Sequence, residues 1–464
     1  MQTRSAPEKL NALEKRAAVS LASIFSMRML GLFMLMPIMA VYGQDLSGVS
    51  PFWIGLAIGA YGLTQAVFQI PMGWLSDRFG RRPIIVVGLI IFAIGSLIAG
   101  IANSIEMVTF GRAIQGMGAI ASAVLALASD VTREEQRPKV MAVIGMSIGI
   151  SFAVALVVGP MIANSFGLSG VFLATAVMAI IGVVIVYTIV PISYTQSNSG
   201  EVTASRSNIS EMLTNGQLLR LDFGVLVLHW MMTSIFVALP ILLTDSGMNI
   251  NDHWQLYLPV LFLSFVFMVP MIIIAAKKSI EKQVFLIAII LIISASIVMA
   301  VSHSFWPLAL TVFIFFIGFN FLEASLPAHV SRLAPAGQKG TAMGVYSSSQ
   351  FLGAFLGGVS GGYIAGSFGF SYLFAANGII ALLWLVLALG MKLPPSSKRV
   401  SMHFEPADGC DYQKLIDALS GCEGVMEATL VEDESRIYLK VNKTGYDQTS
   451  VSELVSKINS SSGE

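Results

Sequence analysis

Long apolar stretches alternate with short polar turns between residues 17 and 392 of the chain. Each stretch has roughly the 20 residues that a helix needs to cross a bilayer, so the pattern predicts twelve membrane-spanning segments. Numbered 1 to 12 along the chain, their predicted bounds are 17–43, 52–76, 83–102, 106–129, 138–164, 169–191, 220–244, 253–276, 283–302, 306–331, 340–366 and 370–392. The chain is 55% hydrophobic and 12% charged, with a mean hydropathy of +0.77, which excludes an ordinary water-soluble protein.

Basic residues are distributed unevenly over the connections between these segments. The loops near residues 45, 104, 167, 248, 304 and 368 contain no Lys or Arg, whereas the termini and the alternate loops are rich in both. The positive-inside rule therefore predicts that both termini are cytoplasmic. The formal net charge is zero, which gives no reason to expect a nucleic-acid partner.

The chain divides into two similar halves. A stretch rich in Ser, Thr and Asn from Ser193 to about Gln217 predicts a linker at 193–219, between an N-terminal half at 1–192 and a C-terminal half at 220–398. When the second half is shifted back by 202 positions, eight of the fourteen residues at 159–172 are identical to those at 361–374. Six segments return the chain to its starting side, so we expect parallel repeats that rock around a central site.

The composition changes after Pro394 and Pro395. Alternating apolar positions predict strands near 400–404, 425–431 and 437–441, and helical spacing predicts helices at 412–419 and 451–458, the last opened by a capping box at Ser450 and Glu453. The order βαββα predicts a small soluble α+β domain of ferredoxin-like type at 399–464. The predicted fold class is thus a twelve-helix, all-α membrane body followed by this cytoplasmic domain.

A charged turn between segments 2 and 3 has the spacing of a known signature. It reads Gly-x-x-x-Asp-Arg-x-Gly-Arg-Arg, with its defining residues at Gly73, Asp77, Arg78, Gly80, Arg81 and Arg82. This loop resembles the signature loop of the major facilitator superfamily, and the resemblance covers about residues 15–395. It implies a secondary transporter that works by alternating access between its two halves.

The resemblance also implies a conformational latch at this loop. Asp77 would face the start of segment 11 at Gly340 and Thr341, and Arg81 would pair with an acid at the end of segment 4, here Asp130. Such contacts form when the cytoplasmic side is closed and loosen when it opens. The equivalent positions 275–284 lack the full motif, so we expect the latch to be one-sided.

Two further motifs resemble those of the drug/proton antiporter branch. Arg112 in segment 4 matches a motif that is frequent in proton-coupled members, although anchoring by backbone carbonyls is an alternative role. Gly159 and Pro160 in segment 5 match the core of the antiporter motif, but the usual glycine pair that follows is replaced by Ala163 and Asn164. A proline kink in a bundle helix is an equal explanation for this partial match.

Few charged residues lie deep in the predicted membrane core. Glu323 in segment 10, close to Asn320, is the only acid that we predict well inside it, and a low dielectric favours a carboxyl that binds and releases a proton. Substrate binding and a structural hydrogen bond are the alternatives. Arg28 in segment 1 is a candidate partner for Glu323, and His229 in segment 7 is either a proton relay or a packing residue. Further candidates to line a central cavity are Gln65, Gln69, Gln115, Tyr346 and Gln350.

The tail resembles heavy-metal-associated domains, in which two cysteines bind copper. Here Cys410 stands at the first strand-to-helix turn, but Gln413 occupies the second cysteine position. The sequence therefore predicts no two-thiolate metal site, and the remaining cysteine, Cys422, is expected to be reduced in the cytoplasm.

Together these features predict a transporter and not an enzyme. We expect a monomer in the bacterial inner membrane that exports a small, amphipathic or drug-like compound in exchange for protons. The proton gradient would supply the energy without a cofactor, and the tail would bind a regulatory ligand or partner. A symporter or uniporter for a nutrient, and a membrane sensor whose output is the tail, are the alternatives.

Overall fold

The computed structural model describes residues 10–133, 136–191, 212–302, 304–335, 338–392, 397–403, 412–431, 436–442, 446 and 451. Most of the linker predicted at 193–219, the residues around Cys410, and the helix predicted at 451–458 beyond its first residue lie outside these ranges. The membrane body is helical throughout. Its helices are α1 Ala12–Met34, α2 Met36–Tyr42, α3 Pro51–Phe79, α4 Arg81–Gly100, α5 Ile105–Met117, α6 Ala121–Asp130, α7 Arg137–Thr188, α8 Gly216–Asp245, α9 Trp254–Lys278, α10 Glu281–Val301, α11 Phe305–Leu333, α12 Lys339–Phe368 and α13 Phe370–Leu389.

Eleven helical runs within the described ranges are long and apolar enough to cross a membrane. One of them, α7, consists of two consecutive helices with 52 residues in total, whose rise of 1.5 Å per residue sums to about 78 Å, enough for two crossings of a core about 30 Å thick. Its backbone leaves helical geometry at Gly167, where φ is 67°. The described residues therefore make twelve crossings, and the predicted fold class is confirmed.

Two of the predicted segments are each formed by two shorter helices. Segment 1 divides at Leu35, just before Pro37, and segment 4 divides between Met117 and Ala121. The second break has a packing cause, because a Cβ on Gly118 would collide with the carbonyl oxygen of Gly88. The backbone at Gly118 therefore approaches α4 more closely than a side chain would allow.

The two ends of the bundle are named here after residues that lie there. The Gly80 end contains the starts of α1, α4, α8 and α12, and the Asn164 end contains the turn at Gly167 and the starts of α3 and α11. The halves contact each other closely towards the Asn164 end, where α3 packs on α12. A Cβ on Gly55 would collide with Gly358, and a Cβ on Gly59 would lie 2.8 Å from the carbonyl oxygen of Phe355.

Polar contacts reinforce this closure at the Asn164 end. The Asn251 amide donates to Asn164 Oδ1 over 3.0 Å, and the Tyr42 hydroxyl donates to Asn251 Oδ1 over 3.4 Å. Halfway along the bundle, the Ser348 hydroxyl donates to the carbonyl oxygen of Ala66 over 3.1 Å. The halves are therefore joined from the Asn164 end to the middle of the bundle.

The tail forms a three-stranded antiparallel sheet with one helix against it. Its elements are β1 Ser397–His403, α14 Tyr412–Ser420, β2 Val425–Val431 and β3 Arg436–Asn442, and the strand order is β1-β3-β2. Val400 pairs with Leu439 and Ala428 also pairs with Leu439, so β3 lies between two mutually parallel strands. This is the split βαβ arrangement of ferredoxin-like domains, with a core that includes Leu415 and Leu419 of α14.

Candidate functional site

The signature loop is a sharp turn between α3 and α4 that depends on one glycine. Gly80 has φ 96° and ψ 148°, a region that is accessible almost exclusively to glycine. Gly73, about two turns earlier, faces Ser122 of α6, where a Cβ would lie 3.2 Å from the serine Cβ. The glycines therefore set the turn and the close approach of α3 to α6.

Arg81 is the centre of the polar contacts in this loop. It forms ion pairs with Asp77 and, over 3.2 Å from Nε to Oδ2, with Asp130 at the end of α6. Its Nη1 also donates to Ser76 Oγ over 2.9 Å. The side chains of Arg81 and Asp130 are 3% and 1% exposed, so the pair is shielded from water. The predicted pairing of Arg81 with Asp130 is present, with Asp77 as an additional partner.

The other residues of the motif bind nearby parts of the same half. Arg82 donates to the carbonyl oxygen of Val186 in α7, and the guanidinium of Arg78 lies 5.5 Å from the ring centre of Phe79. Gly340 and Thr341 are buried in the first turn of α12. The contact of Asp77 with these two residues stays a prediction.

A cluster of polar side chains lies inside the N-terminal half. Arg112 of α5 donates to the carbonyl oxygen of Ala57 over 3.2 Å and to Gln115 Oε1 over 2.8 Å, and Gln115 donates to Ser96 over 2.7 Å. The guanidinium of Arg112 also lies 5.0 Å from the ring centre of Tyr61. Arg112 is therefore held by neutral hydrogen-bond acceptors and by the face of an aromatic ring. These contacts fit the alternative role of Arg112 as a structural anchor.

Arg28 of α1 joins the same cluster from its other side. It donates to Gln65, which donates to Gln69 over 2.7 Å, and Gln69 donates to Ser122 over 2.9 Å. The guanidinium of Arg28 lies 5.8 Å from the ring centre of Tyr61. The prediction that Arg28 is the partner of Glu323 is not met in this conformation, because Gln65 occupies that role within the same half.

The carboxylate cluster of the C-terminal half consists of His229 on α8, Glu323 on α11 and Gln350 on α12. The Gln350 amide donates to Glu323 Oε1 over 3.3 Å and to His229 Nε2 over 2.8 Å. In that tautomer His229 donates from Nδ1 to the carbonyl oxygen of Val225 over 3.2 Å. Three helices thus bring together residues that the sequence could only name one by one.

Glu323 has one oxygen free to accept a further hydrogen bond. Its Oε2 has no hydrogen-bond partner among the residues described and lies 3.7 Å from His229 Nε2. The Glu323 side chain is 38% exposed, although its Oε2 is itself enclosed, so the residue is less deeply buried than the sequence predicted. A carboxylate in this position can exchange a proton with His229.

Neighbouring candidates occupy different places. Asn320 donates to Ser264 of α9 over 2.7 Å, which ties α11 to α9 one turn away from Glu323. Tyr346 is buried one turn before Gln350 on α12. Gly159 contacts α1 next to its break, where a Cβ would lie 2.8 Å from the carbonyl oxygen of Met34, and Pro160 follows within α7.

Two buried acidic residues were not predicted from the sequence. Glu14 in the first turn of α1 pairs with Arg133 over 2.8 Å, and Asp222 near the start of α8 is 6% exposed. Both acids are more enclosed than Glu323. Both lie close to predicted segment ends, where a charged residue usually marks the polar boundary and so gave no signal.

The part of the chain that the structure describes contains no group of three or more His, Cys, Asp or Glu residues placed to hold a metal ion. Cys422 is a free thiol whose Sγ contacts the carbonyl oxygen of Ala418 at 3.5 Å. Cys410 lies outside the described residues. The predicted absence of a two-thiolate site stays a prediction.

Twelve crossings in two similar halves, with polar clusters inside each half, define a polytopic membrane transporter. The Major Facilitator Superfamily profile matches residues 21–282 and 277–409. The chain belongs to this family, whose members are transporters and not enzymes.

Individual relatives agree with this assignment. The chain is 46% identical over 437 residues to the inner membrane transport protein YajR of Escherichia coli, covering 94% of this chain and 96% of the relative. It is 24% identical to multidrug resistance protein 2 of Bacillus subtilis, covering 82% and 96%. Among solved structures, a bacterial homolog of the human lysosomal transporter Spinster, in an inward-facing and occupied conformation, has a TM-score of 0.65 at 13% identity, covering 82% and 97%.

Proposed function

We propose that this chain exports a small, amphipathic or drug-like compound in exchange for protons, with Glu323 as the carboxyl that carries the proton. The observation that supports this most is the bridge made by Gln350, whose amide contacts both Glu323 and His229. These three residues belong to three helices, and α12 also packs against α3 of the other half. A change of charge here can therefore act on the contact between the halves.

The geometry suggests how protonation would alter this cluster. When His229 gains a proton at Nε2, it can no longer accept from Gln350, and it can donate to the free Oε2 of Glu323. When Glu323 is protonated instead, the charge that attracts His229 is lost. Each step exchanges one hydrogen-bond arrangement for another, which is what a two-state element needs.

Energetics and relatives support proton-driven export. One charge moving down a membrane potential releases about 2.3 kcal/mol per 100 mV, which can drive accumulation of a compound. The relative from Bacillus subtilis is named a multidrug resistance protein, and the relative from Escherichia coli an inner membrane transport protein. We propose that this chain lies in a bacterial inner membrane, as a monomer with the Gly80 end and both termini in the cytoplasm.

The remaining parts have proposed roles in the same cycle. The loop from Gly73 to Arg82 would act as a conformational latch, with Arg81 and Asp130 as its fixed part and Asp77 as its movable part. The polar cluster around Arg112 and Arg28 would hold the N-terminal half rigid while the halves rock. We propose the divisions 1–192, 193–219, 220–398 and 399–464, with the last unit as a regulatory domain that binds a ligand or partner.

The test begins with a ligand, found by a thermal-shift screen of the purified protein at two pH values. In proteoliposomes, Glu323→Gln should abolish transport of this ligand driven by a pH gradient and leave ligand exchange intact. Glu106→Gln, which changes an exposed carboxylate at the Asn164 end, is the matched control and should behave as wild type. Unchanged pH-driven transport by the Glu323→Gln variant would contradict the proposal.

Gradients of both signs determine the direction of coupling. Export in exchange for protons predicts that ligand accumulates when protons flow in the opposite direction, whereas a symporter accumulates it with the proton flow. Deletion of residues 399–464 should preserve transport and change only its regulation. Loss of transport on this deletion, in a protein that remains folded, would contradict the regulatory role of the tail.

A further inference from the structure

Asp222 on α8 is a buried carboxylate without a structural explanation. It lies six residues after the start of the helix at Gly216, and so about 9 Å along it from the Gly80 end. Its Oδ1 has no hydrogen-bond partner in the described part of the chain. Enclosing a charged group in this way costs several kcal/mol. A carboxylate so placed is therefore a candidate for function.

The two usual structural roles of an acid near a helix start are filled by other residues. Asn215 caps α8 by accepting from the backbone N–H groups of Gln217 and Leu218. The nearest basic residue along the helix, Arg220, donates to the carbonyl oxygen of Gly390 over 2.8 Å. Asp222 is thus neither the cap nor the ion-pair partner that its position would suggest.

Tyr346 lies at the same depth on the neighbouring helix. The helices α8 and α12 pack against each other and both start at the Gly80 end, and Tyr346 is seven residues, about 10 Å, after Lys339. Its buried hydroxyl has no hydrogen-bond partner among the described residues, and it lies within electrostatic range of both Asp222 and Glu323. Tyr346 is therefore near enough to both carboxylates for their charges to act on its hydroxyl.

The next groups lie deeper in the bundle. His229 is seven residues after Asp222 and so lies on the same face of α8 two turns deeper, while Glu323 is ten residues, about 15 Å, from the end of α11. Two further charged groups on the packed helices lie nearer the Gly80 end, since Lys339 begins α12 and Arg332 in the last turn of α11 pairs with Glu281. His329 of α11 packs on Phe285, Asp77 and Arg78 of α3 contact Arg81 and Phe79, and neither α2 nor α13 contains Asp, Glu, His, Lys or Arg.

We propose that Asp222 relays protons between the solution at the Gly80 end and Glu323, with the Tyr346 hydroxyl between them. Neither the Asp222 Oδ1 nor the Tyr346 hydroxyl has a hydrogen-bond partner among the described residues, so the relay uses bridging water. A proton binds the Asp222 carboxylate and passes through water to the hydroxyl oxygen of Tyr346, whose own proton goes by the same means to Glu323. Tyr346 ends the step neutral, and the negative charge moves from Glu323 to Asp222. This inference depends on the proposed role of Glu323.

The experiment measures how fast Glu323 gains a proton after a pH jump, by time-resolved infrared absorption of the protonated carboxyl in the reconstituted full-length protein. The band that disappears in Glu323→Gln identifies Glu323. We expect Asp222→Asn to slow the rise of this band at least about tenfold, and Tyr346→Phe to slow it similarly. Asp222→Glu should restore the rate, and Asp245→Asn, an exposed carboxylate at the other end of α8, should leave it at the wild-type value.

The outcomes separate the relay from the function on which it depends. A wild-type rate in folded Asp222→Asn overturns the relay alone. A rate that falls in Asp222→Asn and stays low in Asp222→Glu also overturns it, because any carboxylate of suitable reach should relay. If Asp222→Asn does not fold, a wild-type rate in Tyr346→Phe overturns the relay as stated. Absence of any band sensitive to Glu323→Gln overturns both the relay and the proposed proton site.

Discussion

The two halves each have an ion pair at the same place at the Gly80 end, but with the charges exchanged. In the N-terminal half, Arg81 begins α4 and Asp130 ends α6. In the C-terminal half, Glu281 begins α10 and Arg332 lies in the last turn of α11, with 3.7 Å between Oε1 and Nη1. Asp130 and Arg332 are equivalent positions, 202 residues apart.

The exchange changes how each pair fits its helices. A helix start favours negative charge and a helix end favours positive charge. The pair Glu281–Arg332 satisfies both preferences, whereas Arg81–Asp130 opposes both. The N-terminal pair is also shielded, with side chains 3% and 1% exposed, against 31% for Arg332 and 26% for Glu281.

This difference indicates that the N-terminal pair is retained for more than local stability. An ion pair that only joins two helix ends can place its acid at a helix start and its base at a helix end, and it can remain exposed to water. The pair in the C-terminal half does both. Arg81 and Asp130 instead lie in a position shielded from water, each opposing the dipole of its own helix, and Arg81 also contacts Asp77 and Ser76. Its arrangement matches a switch that must hold one specific geometry.

The largest expected effect is the loss of the shielded cation. Arg81→Gln leaves the buried Asp130 carboxylate without this charge and should reduce the free energy of unfolding by about 3–5 kcal/mol. Arg332→Gln is the matched change in the more exposed pair, Glu281–Arg332, and should reduce the free energy of unfolding by less than about 1 kcal/mol. Denaturant titrations in mixed micelles measure both. Equal losses in the two variants would remove the distinction between the pairs.

The second largest effect is expected at the turns beside these pairs, where substitutions should change stability to different extents in the two halves. Gly80→Ala places a side chain at φ 96° and should cost about 1–3 kcal/mol, although a Cβ there meets only ordinary contacts with Pro83. The C-terminal turn uses Ser279 at φ 53°, so Ser279→Gly should leave stability unchanged or raise it by up to about 1 kcal/mol. The same titrations apply. A tolerated Gly80→Ala would mean that the turn can relax.

The sequence was sufficient for the parts of this comparison that are local. Apolar length predicted the crossings, the spacing of Gly73 to Arg82 predicted the loop, and the resemblance pointed to Asp130 as the partner of Arg81. The pair Glu281–Arg332 was not predicted, because its members are 51 positions apart and neither belongs to a motif. Only packing of α10 against α11 brings them together.

The same limit applied inside the bundle. Arg28 and Glu323 are the kind of charges that attract each other, yet Gln65 is the nearer partner because it lies within the same half. His229, Glu323 and Gln350 come from three helices whose rotation about their axes is set by side-chain packing, which hydropathy alone does not specify. The burial of Asp222 was not predicted for another reason. It lies near the end of a predicted segment, where a charged residue usually marks the boundary of the membrane.

The smallest expected effect concerns Asp77, the exposed member of the latch, whose side chain is 25% accessible. Pairs of this kind contribute about 0–1 kcal/mol, so Asp77→Asn should change the balance between conformations only a few-fold. We expect a smaller outward-open population and a changed transport rate, with ligand affinity nearly constant. Spin labels at Tyr187 and Leu389, on the two halves at the Gly80 end, would report the separation of the halves, and Glu281→Gln is the matched control in the other turn. A large loss of affinity with an unchanged distance distribution would instead make Asp77 part of the substrate site, and the one-sided charge pattern would then need a different explanation from a latch.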